Sequence, residues 1–393
     1  MTELRNWSGY QRWQPQHHVQ PSTTDETVEA VGRATGAGQK IRVAGNLHSF
    51  SEIARTQQTM ISLAAQQGIV DADRASGLVR VRAGTSIHRL SRELDVLGLA
   101  LPNLGDIDVQ SIAGAAATGT HGTGEAFASL SAQIMAARLV TAAGEILEID
   151  ESELTALKAA RVSLGALGVL TEVTLQCVPA FRLDRLDLPV PLDETLSQLD
   201  SLAAEFDHFE FYTMPYTRAS LQKRINRSNA PAKPMPRSKR FFDDVVIENL
   251  ALGALVHTGK LVKPAIPTLA RMAAKFFGAS HRLDKSFDAF STVRFIKFNE
   301  LEYSIPRANL AEAIDRVLGV IEERKLAVNF PIEVRIGRAD YDCLLSTAAG
   351  RETGYISVHT FRGMEFEPYF HAVEEIMNEY DGRPHWGKIN WQT

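Results

Sequence analysis

The sequence has little cysteine and no excess of positive charge. Its 393 residues include two cysteines, Cys177 and Cys343, too few for a disulfide scaffold or a cysteine-rich metal site. The 42 Lys and Arg residues and 47 Asp and Glu residues give a formal net charge of −5, so no overall positive field attracts nucleic acid. We therefore expect a protein of a reducing compartment, the cytoplasm, with no nucleic-acid partner and no metal site.

Long apolar runs are also absent from the sequence. Residues 1–10 contain no apolar core of the kind that a secretory signal requires. No stretch approaches the roughly 20 apolar residues that a membrane-spanning helix needs. We expect no membrane span. A chain of 393 residues is long enough for two or three domains.

The first 180 residues show short strands alternating with helices. Capping and acidic residues from Ser22 onwards precede apolar positions at helical spacing. Residues 78–82 and 168–176 have the alternation of strands, and Pro179 follows the second of them. These patterns predict a first domain that ends near residue 180.

The second half of the chain has a different composition, with more aromatic residues. Residues 221–240 are basic and contain prolines, which is typical of a solvated surface loop. A site for an anionic partner or a membrane surface is the alternative interpretation of this segment. No internal repeat is visible.

The segment from Ser111 to Gly124 is unusually rich in small residues. Eight of its fourteen residues are Gly or Ala, and three more are Thr. Such a segment can let a ligand lie directly against the backbone, which suits a diphosphate. A tightly packed helix or turn of small residues explains the same composition equally well.

The segment from Arg42 to Ser49 follows a predicted strand and turns at Gly45. It can offer backbone amides to an anion, but it matches neither the G-x-G-x-x-G fingerprint nor a P-loop. His48 within it is a weak signal alone, since a single loop histidine is more often structural than catalytic.

Two motifs in the second half combine charged and aromatic side chains. Glu333 and Arg335 fall on one face of a predicted strand, either as a solvated ion pair or as a polar wall for a hydroxylated ligand. Residues 383–388 place Arg, His, Trp and Lys close together. The G-x-S-x-G and H-E-x-x-H motifs are absent, so the sequence does not support a hydrolase or a metalloenzyme.

Together these segments resemble the vanillyl-alcohol-oxidase-type flavoproteins, and within them the aldonolactone and alditol oxidase group, which includes D-arabinono-1,4-lactone oxidase and L-gulonolactone oxidase. The resemblance covers almost the whole chain and rests on the order and spacing of its motifs. These motifs are Asn6-Trp7, residues 45–50, Leu101-Pro-Asn-Leu104, Ala113-Gly114, residues 119–124, residues 163–169, Glu333-Val-Arg335 and residues 383–388.

The resemblance implies an α+β fold in two domains. Residues 1–180 would form a two-subdomain FAD-binding domain of the PCMH type. Residues 181–393 would form an α+β substrate cap domain on an antiparallel sheet. The family usually continues beyond the motif at 383–388, so this second domain is expected to be short at its C-terminus.

The cofactor implied by the resemblance is FAD. His48 lies at the position that many members bond covalently to the flavin, so we expect covalent FAD. The resemblance places the following residues at the cofactor: Arg42, Ala44, Gly45, Asn46, Leu47, His48, Ser49, Gly105, Asp106, Ser111, Gly114, Ala115, Thr118, Gly119, Thr120, His121, Gly122, Gly168, Val169 and Lys388.

The activity implied is oxidation of a hydroxyl group on a sugar lactone or polyol, with the hydride passing to flavin N5. At the matching positions Glu333, Arg335 and Lys388 would contact substrate hydroxyls near the flavin. His359 would lie beside them as a candidate base. Asp106 departs from the serine-like residue of alditol-oxidising relatives, which favours a lactone or another sugar over a simple alditol.

The resemblance also bears on the electron acceptor. A small residue at the position of Gly105 tends to accompany reactivity with oxygen, so we expect an oxidase that uses O2 and forms H2O2. The alternatives are a dehydrogenase of the same fold that passes electrons to a cytochrome, a quinone or another acceptor, and a non-catalytic flavin-binding protein.

Overall fold

The computed structural model describes residues 3–231, 252–275, 277–292 and 295–392. The chain forms two compact units. Unit 1 comprises Met1–Gly122, Ala128–Ala180 and Asp340–Ala349, and unit 2 comprises Thr123–Phe127, Phe181–Ala339 and Gly350–Thr393. A division of the sequence at residue 180 does not anticipate the one short segment that each unit takes from the other half, Asp340–Ala349 in unit 1 and Thr123–Phe127 in unit 2. Among the described residues, no helix combines the length and apolar character needed to cross a membrane.

Unit 1 is built on a parallel sheet and an antiparallel sheet. Its elements are β1 Leu4–Arg5, β2 Arg12–Trp13, β3 His17–Val19, α1 Thr24–Gly36, β4 Ile41–Ala44, β5 Thr59–Ser62, β6 Ile69–Asp73, β7 Leu78–Arg82, α2 Ile87–Val96, β8 Leu99–Ala100, α3 Ile112–Ala117, β9 Ile134–Val140, β10 Ile146–Ile149, α4 Leu154–Arg161, β11 Val169–Gln176 and β12 Val178–Pro179. The parallel sheet has the order β3-β5-β4, and the antiparallel sheet has the order β10-β9-β11-β7-β6. Two further strand pairs, β1-β2 and β8-β12, complete the unit.

The predicted elements of unit 1 form for the expected local reasons. The hydroxyl of Thr23 accepts a hydrogen bond from the Glu26 amide and caps α1, which contributes about 1 kcal/mol to such a helix. Val31 on the inner face of α1 is buried in a core cluster with Ile61 and Val140. Burying each such side chain stabilises the fold by roughly 1.5–3 kcal/mol. The predicted helix after Ser22 and the strands β7 and β11 are confirmed.

Unit 2 is built on one large antiparallel sheet. Its elements are β13 Arg182–Pro191, α5 Leu192–Ser197, α6 Leu199–Glu205, β14 His208–Thr213, β15 Ala219–Ser228, α7 Leu252–Leu261, α8 Ile266–Ala274, β16 Ser280–Lys285, α9 Ser286–Phe290, β17 Phe298–Pro306, α10 Leu310–Glu323, β18 Ile332–Gly337, β19 Thr353–Phe361, α11 Glu367–Glu379 and β20 Arg383–Pro384. The eight strands lie in the order β16-β13-β15-β14-β18-β19-β17-β20.

The two faces of this sheet differ in chemistry. Along β17, Leu301, Tyr303 and Ile305 point to one face and Glu300 and Glu302 to the other, because side chains alternate along a strand. On the first face, helices α10 and α11 contact strands β19 and β17. The second face carries acidic, basic and hydroxyl side chains that are also buried, so these polar groups require partners.

The prediction of a surface loop over residues 221–240 is wrong for its first part. Residues 219–228 form β15, an inner strand of the sheet, and Lys223 is only 5 % exposed. A run of charges normally indicates solvation, but here the lysine is neutralised by Glu210 on the neighbouring strand. Residues 232–240 of the predicted loop lie outside the described residues.

Candidate functional site

Unit 1 contains a cavity of about 1030 Å³ lined by three loop segments. The segments are residues 42–49 after β4, residues 110–118 around α3 and residues 163–170 before β11. Predicted cofactor residues that line it are Arg42, Ala44, Gly45, Asn46, Leu47, His48, Ser49, Ser111, Gly114, Thr118 and Gly168.

The remaining predicted cofactor residues lie elsewhere. Gly105, Thr120, His121 and Gly122 line a second, smaller cavity of about 270 Å³ in unit 1. Residues that line neither cavity are Asp106, Ala115, Gly119 and Val169, and Lys388 lies in unit 2.

Where glycines line the large cavity, its wall is backbone. A side chain at these glycines would collide with neighbouring atoms. A Cβ atom at Gly45 would lie 2.2 Å from the Ser111 hydroxyl oxygen, and one at Gly114 would lie 2.7 Å from the same atom. A Cβ atom at Gly84 would lie 1.8 Å from the carbonyl oxygen of Leu63. A ligand in this cavity therefore meets peptide groups at the glycines, beside larger side chains such as Arg42, Leu63 and Leu170. Residues 112–117 form helix α3, as one of the two alternatives for the small-residue segment predicts, and Ala113, Gly114 and Ala117 of this helix also line the cavity.

The loop after β4 positions His48 at the cavity wall. Leu47 has a φ of 57°, a left-handed conformation that non-glycine residues adopt only when their surroundings enforce it. The Trp7 amide donates a hydrogen bond of 2.7 Å to the Leu47 carbonyl. The Trp7 ring stacks on the His48 imidazole with 5.8 Å between ring centroids and 26° between planes. These contacts orient the imidazole, which is half-buried.

The segment before β11 closes another wall of the cavity. The Leu164 amide donates to the carbonyl of Ala117 at 3.1 Å, which ties this loop to α3. Gly168 has a φ of 143°, and a Cβ atom there would lie 2.4 Å from the Val140 carbonyl oxygen. Further lining residues that the sequence analysis did not name as site residues are Ile53, Ala54, Leu63, Ala64, Ala83, Gly84, Gln110, Ala117, Ser163, Leu164 and Leu170. For Ala83 and Gly84 the sequence contained a signal, because the predicted strand over residues 78–82 ends at these two residues.

The smaller cavity lies where two backbone segments cross. A Cβ atom at Gly122 would lie 2.4 Å from the Leu104 carbonyl oxygen. A Cβ atom at Gly105 would lie 3.1 Å from the carbonyl oxygen of His121, so a methyl group requires a shift of a few tenths of an ångström. Position 105 thus tolerates alanine more readily than position 122.

In unit 2, Glu333 and Arg335 are neighbours on the polar face of the sheet, as predicted from their spacing. They form an ion pair in which the Arg335 Nη2 contacts Glu333 Oε1. Neither residue is more than 9 % exposed, so the interpretation as a solvated surface pair is wrong. The polar wall remains as the interpretation of this motif.

Three partners of this pair were missed by the sequence analysis. Glu210 and Tyr212 lie on β14, and Lys223 lies opposite Glu210 on β15. Arg335 Nε donates to Glu210 Oε2 at 2.9 Å, and the Tyr212 hydroxyl donates to Glu333 Oε1 at 2.6 Å. The alternation of polar and aromatic residues from His208 to Thr213 was the available signal for β14.

Lys388 and His359 converge on a further residue that was missed, Glu300. The Lys388 ammonium lies 2.5 Å from Glu300 Oε2, and His359 Nε2 lies 3.5 Å from Glu300 Oε1. Burial alone would raise the pKa of Glu300, but Lys388 and His359 outweigh it and lower that pKa to about 2. Glu300 is therefore a buried carboxylate that stays ionised beside two basic side chains.

The backbone of the C-terminal motif holds Lys388 at this position. Residues 383–384 pair with β17 as β20. The His385 amide donates to the Glu302 carbonyl at 2.9 Å, and the Ile389 amide donates to the Glu300 carbonyl at 3.0 Å. Lys388 is thus fixed between two backbone bonds to the strand that carries Glu300.

With this geometry established, the comparisons with known proteins identify the family. Residues 173–393 match the family model described as D-arabinono-1,4-lactone oxidase, and residues 15–150 match a model described as FAD binding domain. The chain belongs to the D-arabinono-1,4-lactone oxidase family. It is an oxidoreductase, and the resemblance seen in the sequence is confirmed.

Individual relatives span nearly the whole chain of this family member. L-gulono-1,4-lactone dehydrogenase of Mycobacterium tuberculosis is 44 % identical over 99 % of this chain and 90 % of the relative. L-gulonolactone oxidase of Bos taurus is 32 % identical over 99 % of this chain and 89 % of the relative. A crystal structure of cholesterol oxidase from Brevibacterium sterolicum superposes with a TM-score of 0.79, at 20 % identity, over 99 % of this chain and 86 % of that one. This structure confirms the predicted α+β PCMH-type fold.

As a member of this family, the protein carries an FAD-binding domain, and the matched residues 15–150 lie mostly in unit 1. The large cavity fits such a cofactor in two respects. Gly45 and Gly114, where a Cβ atom would collide with the Ser111 hydroxyl, leave the cavity wall at their positions without side chains. Its walls supply amide groups and the hydroxyls of Ser49, Ser111 and Thr118, which suit a diphosphate and a polyhydroxylated chain.

Proposed function

We propose that this protein oxidises a hydroxyl group of a sugar lactone with FAD bound in the large cavity of unit 1. The observation that carries the proposal is the buried polar face of unit 2, on which acidic and basic side chains alternate across neighbouring strands. Such a face suits a neutral, polyhydroxylated ligand, since each hydroxyl both donates and accepts. Relatives named for L-gulono-1,4-lactone and D-arabinono-1,4-lactone support this substrate class.

FAD, when bound, supplies the acceptor for the hydride that leaves the substrate carbon. In this proposal the loop 42–49, the region from Ser111 to Thr118 and the backbone near Gly168 hold the cofactor. His48 is the residue proposed to bond to it covalently. Its half-buried imidazole at the cavity wall, stacked on Trp7, supports that role.

Glu333, Arg335 and Lys388 are the proposed contacts of the substrate hydroxyls. Each is at most 19 % exposed on its side chain and already has an ionic partner. A buried polar group that loses a partner costs about 1–3 kcal/mol. A ligand without the matching hydroxyls therefore binds less well than a lactone that carries them.

His359 is the proposed acceptor of the hydroxyl proton. Its Nδ1 lies 3.0 Å from the carbonyl oxygen of Pro331, which only accepts hydrogen bonds, so Nδ1 carries a hydrogen. In the neutral ring Nε2 then has the lone pair. A proton received at Nε2 is stabilised by the carboxylate of Glu300, 3.5 Å away.

Oxygen is the proposed electron acceptor, because residue 105 is a glycine. In the family that the sequence resembles, a small residue at this position tends to accompany reactivity with oxygen. The second candidate is a dehydrogenase that uses another acceptor, which the name of the relative from Mycobacterium tuberculosis favours. The two candidates share the reaction with the lactone and differ only in how the flavin is reoxidised.

The test is an anaerobic absorbance screen of the purified yellow protein with aldonolactones and alditols. We expect bleaching by L-gulono-1,4-lactone or D-arabinono-1,4-lactone and slower bleaching by alditols. Readmission of air should restore the colour with formation of H2O2. Failure of every lactone to bleach the flavin overturns the proposed function, and bleaching that only a dye or cytochrome reverses assigns the dehydrogenase.

A further inference from the structure

Five buried side chains of unit 2 form a closed ring of hydrogen bonds and ion pairs on the polar face of the sheet. Lys223 Nζ donates to Glu210 Oε1 at 2.7 Å and to the Tyr212 hydroxyl at 3.2 Å. Glu210 Oε2 accepts from Arg335, Arg335 contacts Glu333, and Glu333 accepts from Tyr212. The contacts therefore run from Lys223 through Glu210, Arg335, Glu333 and Tyr212 back to Lys223.

The register of three neighbouring strands creates this ring. Glu210 on β14 lies opposite Lys223 on β15 and opposite Arg335 on β18. Tyr212, two residues further along β14, lies opposite Glu333. Side chains directly opposite each other on one sheet face are about 4.5–5.5 Å apart at Cβ, so these pairs meet without distortion. The ring therefore belongs to the rigid part of the sheet.

The charges within the ring cancel, and both oxygens of Glu210 are engaged. Two carboxylates face two cations, and all five residues are at most 9 % exposed. Glu210 uses both of its oxygens on cations, one on Lys223 and one on Arg335. A carboxylate in this state orients its neighbours and has no oxygen that is not already an acceptor.

We propose that Lys223, Glu210 and Tyr212 are positioning residues that hold Glu333 and Arg335 in the orientation that binds substrate hydroxyls. This inference rests on the proposed function, in which Glu333 and Arg335 contact the lactone. Tyr212 and Arg335 bind the same oxygen of Glu333, Oε1, so together they set the rotation of that carboxylate. Lys223 in turn donates to the Tyr212 hydroxyl, and it also lies 4.5 Å above the centre of the tyrosine ring.

The sheet supplies a matched control in Tyr303. It is a buried tyrosine on β17 whose hydroxyl also contacts a glutamate, Glu374. It points to the opposite, apolar face, where α11 contacts β17. Tyr303→Phe and Tyr212→Phe each remove one buried hydroxyl from the same sheet, and only the second one touches the ring.

The experiment measures steady-state kinetics of the flavin-loaded Tyr212→Phe, Tyr303→Phe and wild-type proteins with L-gulono-1,4-lactone and D-arabinono-1,4-lactone. For the better substrate we expect Tyr212→Phe to lower kcat/KM about five- to tenfold, mainly through KM, since one hydrogen bond to a charged group is lost. The kcat/KM of Tyr303→Phe should stay within about twofold of the wild-type value. Its loss of thermal stability should be at least as large as that of Tyr212→Phe. Monodeoxy lactones provide the second readout, which is the ratio of kcat/KM for a lactone to kcat/KM for its monodeoxy analogue. A misoriented Glu333 should lower this ratio in Tyr212→Phe.

Lys223→Met tests the same ring from its other side. It should give a larger loss than Tyr212→Phe, and the double variant should lose less than the product of the single losses, because both changes act through Glu333. Should Lys223→Met not fold, the tyrosine pair carries the test alone.

The outcomes separate the inference from the proposed function. A wild type that oxidises a lactone, with Tyr212→Phe equal to Tyr303→Phe in kcat/KM and in deoxy discrimination, overturns the positioning role and leaves the function intact. A wild type without activity on either lactone overturns the proposed function, and with it the inference that rests on it.

Discussion

Replacement of Lys388 by methionine probes the contact between Lys388 and Glu300. The variant keeps an unbranched side chain, shorter by one atom, and removes the ammonium that lies 2.5 Å from Glu300 Oε2. The pKa of Glu300 is lowered from 4.5 to about 2, which corresponds to about 3 kcal/mol of stabilisation at neutral pH. Removal of one partner of a buried ion pair costs a similar amount, about 3–5 kcal/mol. We expect Lys388→Met to lower the free energy of unfolding by about 3 kcal/mol at pH 7.

The dependence of this loss on pH follows from the direction of the shift. Because the pKa of folded Glu300 lies below its usual value of 4.5, the stabilisation is complete above that pH and is lost as the pH falls towards 2. In the variant, burial raises the pKa of Glu300 with only His359 to oppose it, so the carboxyl takes up a proton at higher pH. The difference between variant and wild type should therefore be largest at pH 7 and shrink in acid.

The assay is urea unfolding followed by far-UV circular dichroism at several pH values. Lys263→Met is the matched control, because Lys263 pairs with Glu365 at 3.8 Å with side chains 55 % and 69 % exposed. We expect the control to change the free energy of unfolding by less than about 0.5 kcal/mol. A second variant, Glu300→Gln with Lys388→Met, removes both charges and should recover part of the loss. Equal effects of Lys388→Met and Lys263→Met would refute the reasoning.

Three further predictions concern unit 1. His48→Ala should release the flavin on acid precipitation, and acid-stable flavin in that variant would contradict the covalent assignment. Gly105→Ala requires a shift of only a few tenths of an ångström, so the variant should fold. Its flavin reoxidation by oxygen should slow more, relative to the wild type, than its reoxidation by a dye; equal slowing with both acceptors would count against O2 as the acceptor. Gly84→Ala would place a methyl carbon 1.8 Å from the Leu63 carbonyl oxygen and should lower Tm and flavin content sharply, whereas Gly36→Ala, with open space around it, should leave both unchanged; a soluble, flavin-loaded Gly84→Ala protein with wild-type Tm would contradict the backbone clash.

Local signals in the sequence were sufficient for several elements of unit 1, including α1, β7 and β11. A capping residue before α1, the alternation along β7 and a glycine after β4 each act on neighbouring residues, so a short window of sequence contains the cause. The loop with His48 was placed at the cofactor by the family resemblance, since the histidine alone was a weak signal. The closeness of Gly45 to Ser111 was not visible, since it depends on how the loop after β4 meets α3.

By itself, the sequence determined that the chain has an α+β flavoprotein fold, and it placed Glu333 and Arg335 on one face of a strand. Only the tertiary structure decided what those side chains meet. Glu210 and Glu300 are far along the chain from Arg335 and Lys388, whereas Lys223 meets Glu210 across two consecutive strands. These contacts depend on the register of antiparallel strands. Register depends on the packing of the whole sheet, and a shift by one residue would turn every side chain of a strand to the other face. For that reason the basic segment at residues 221–240, which indicated a solvated loop, contains a buried residue of the polar ring, Lys223.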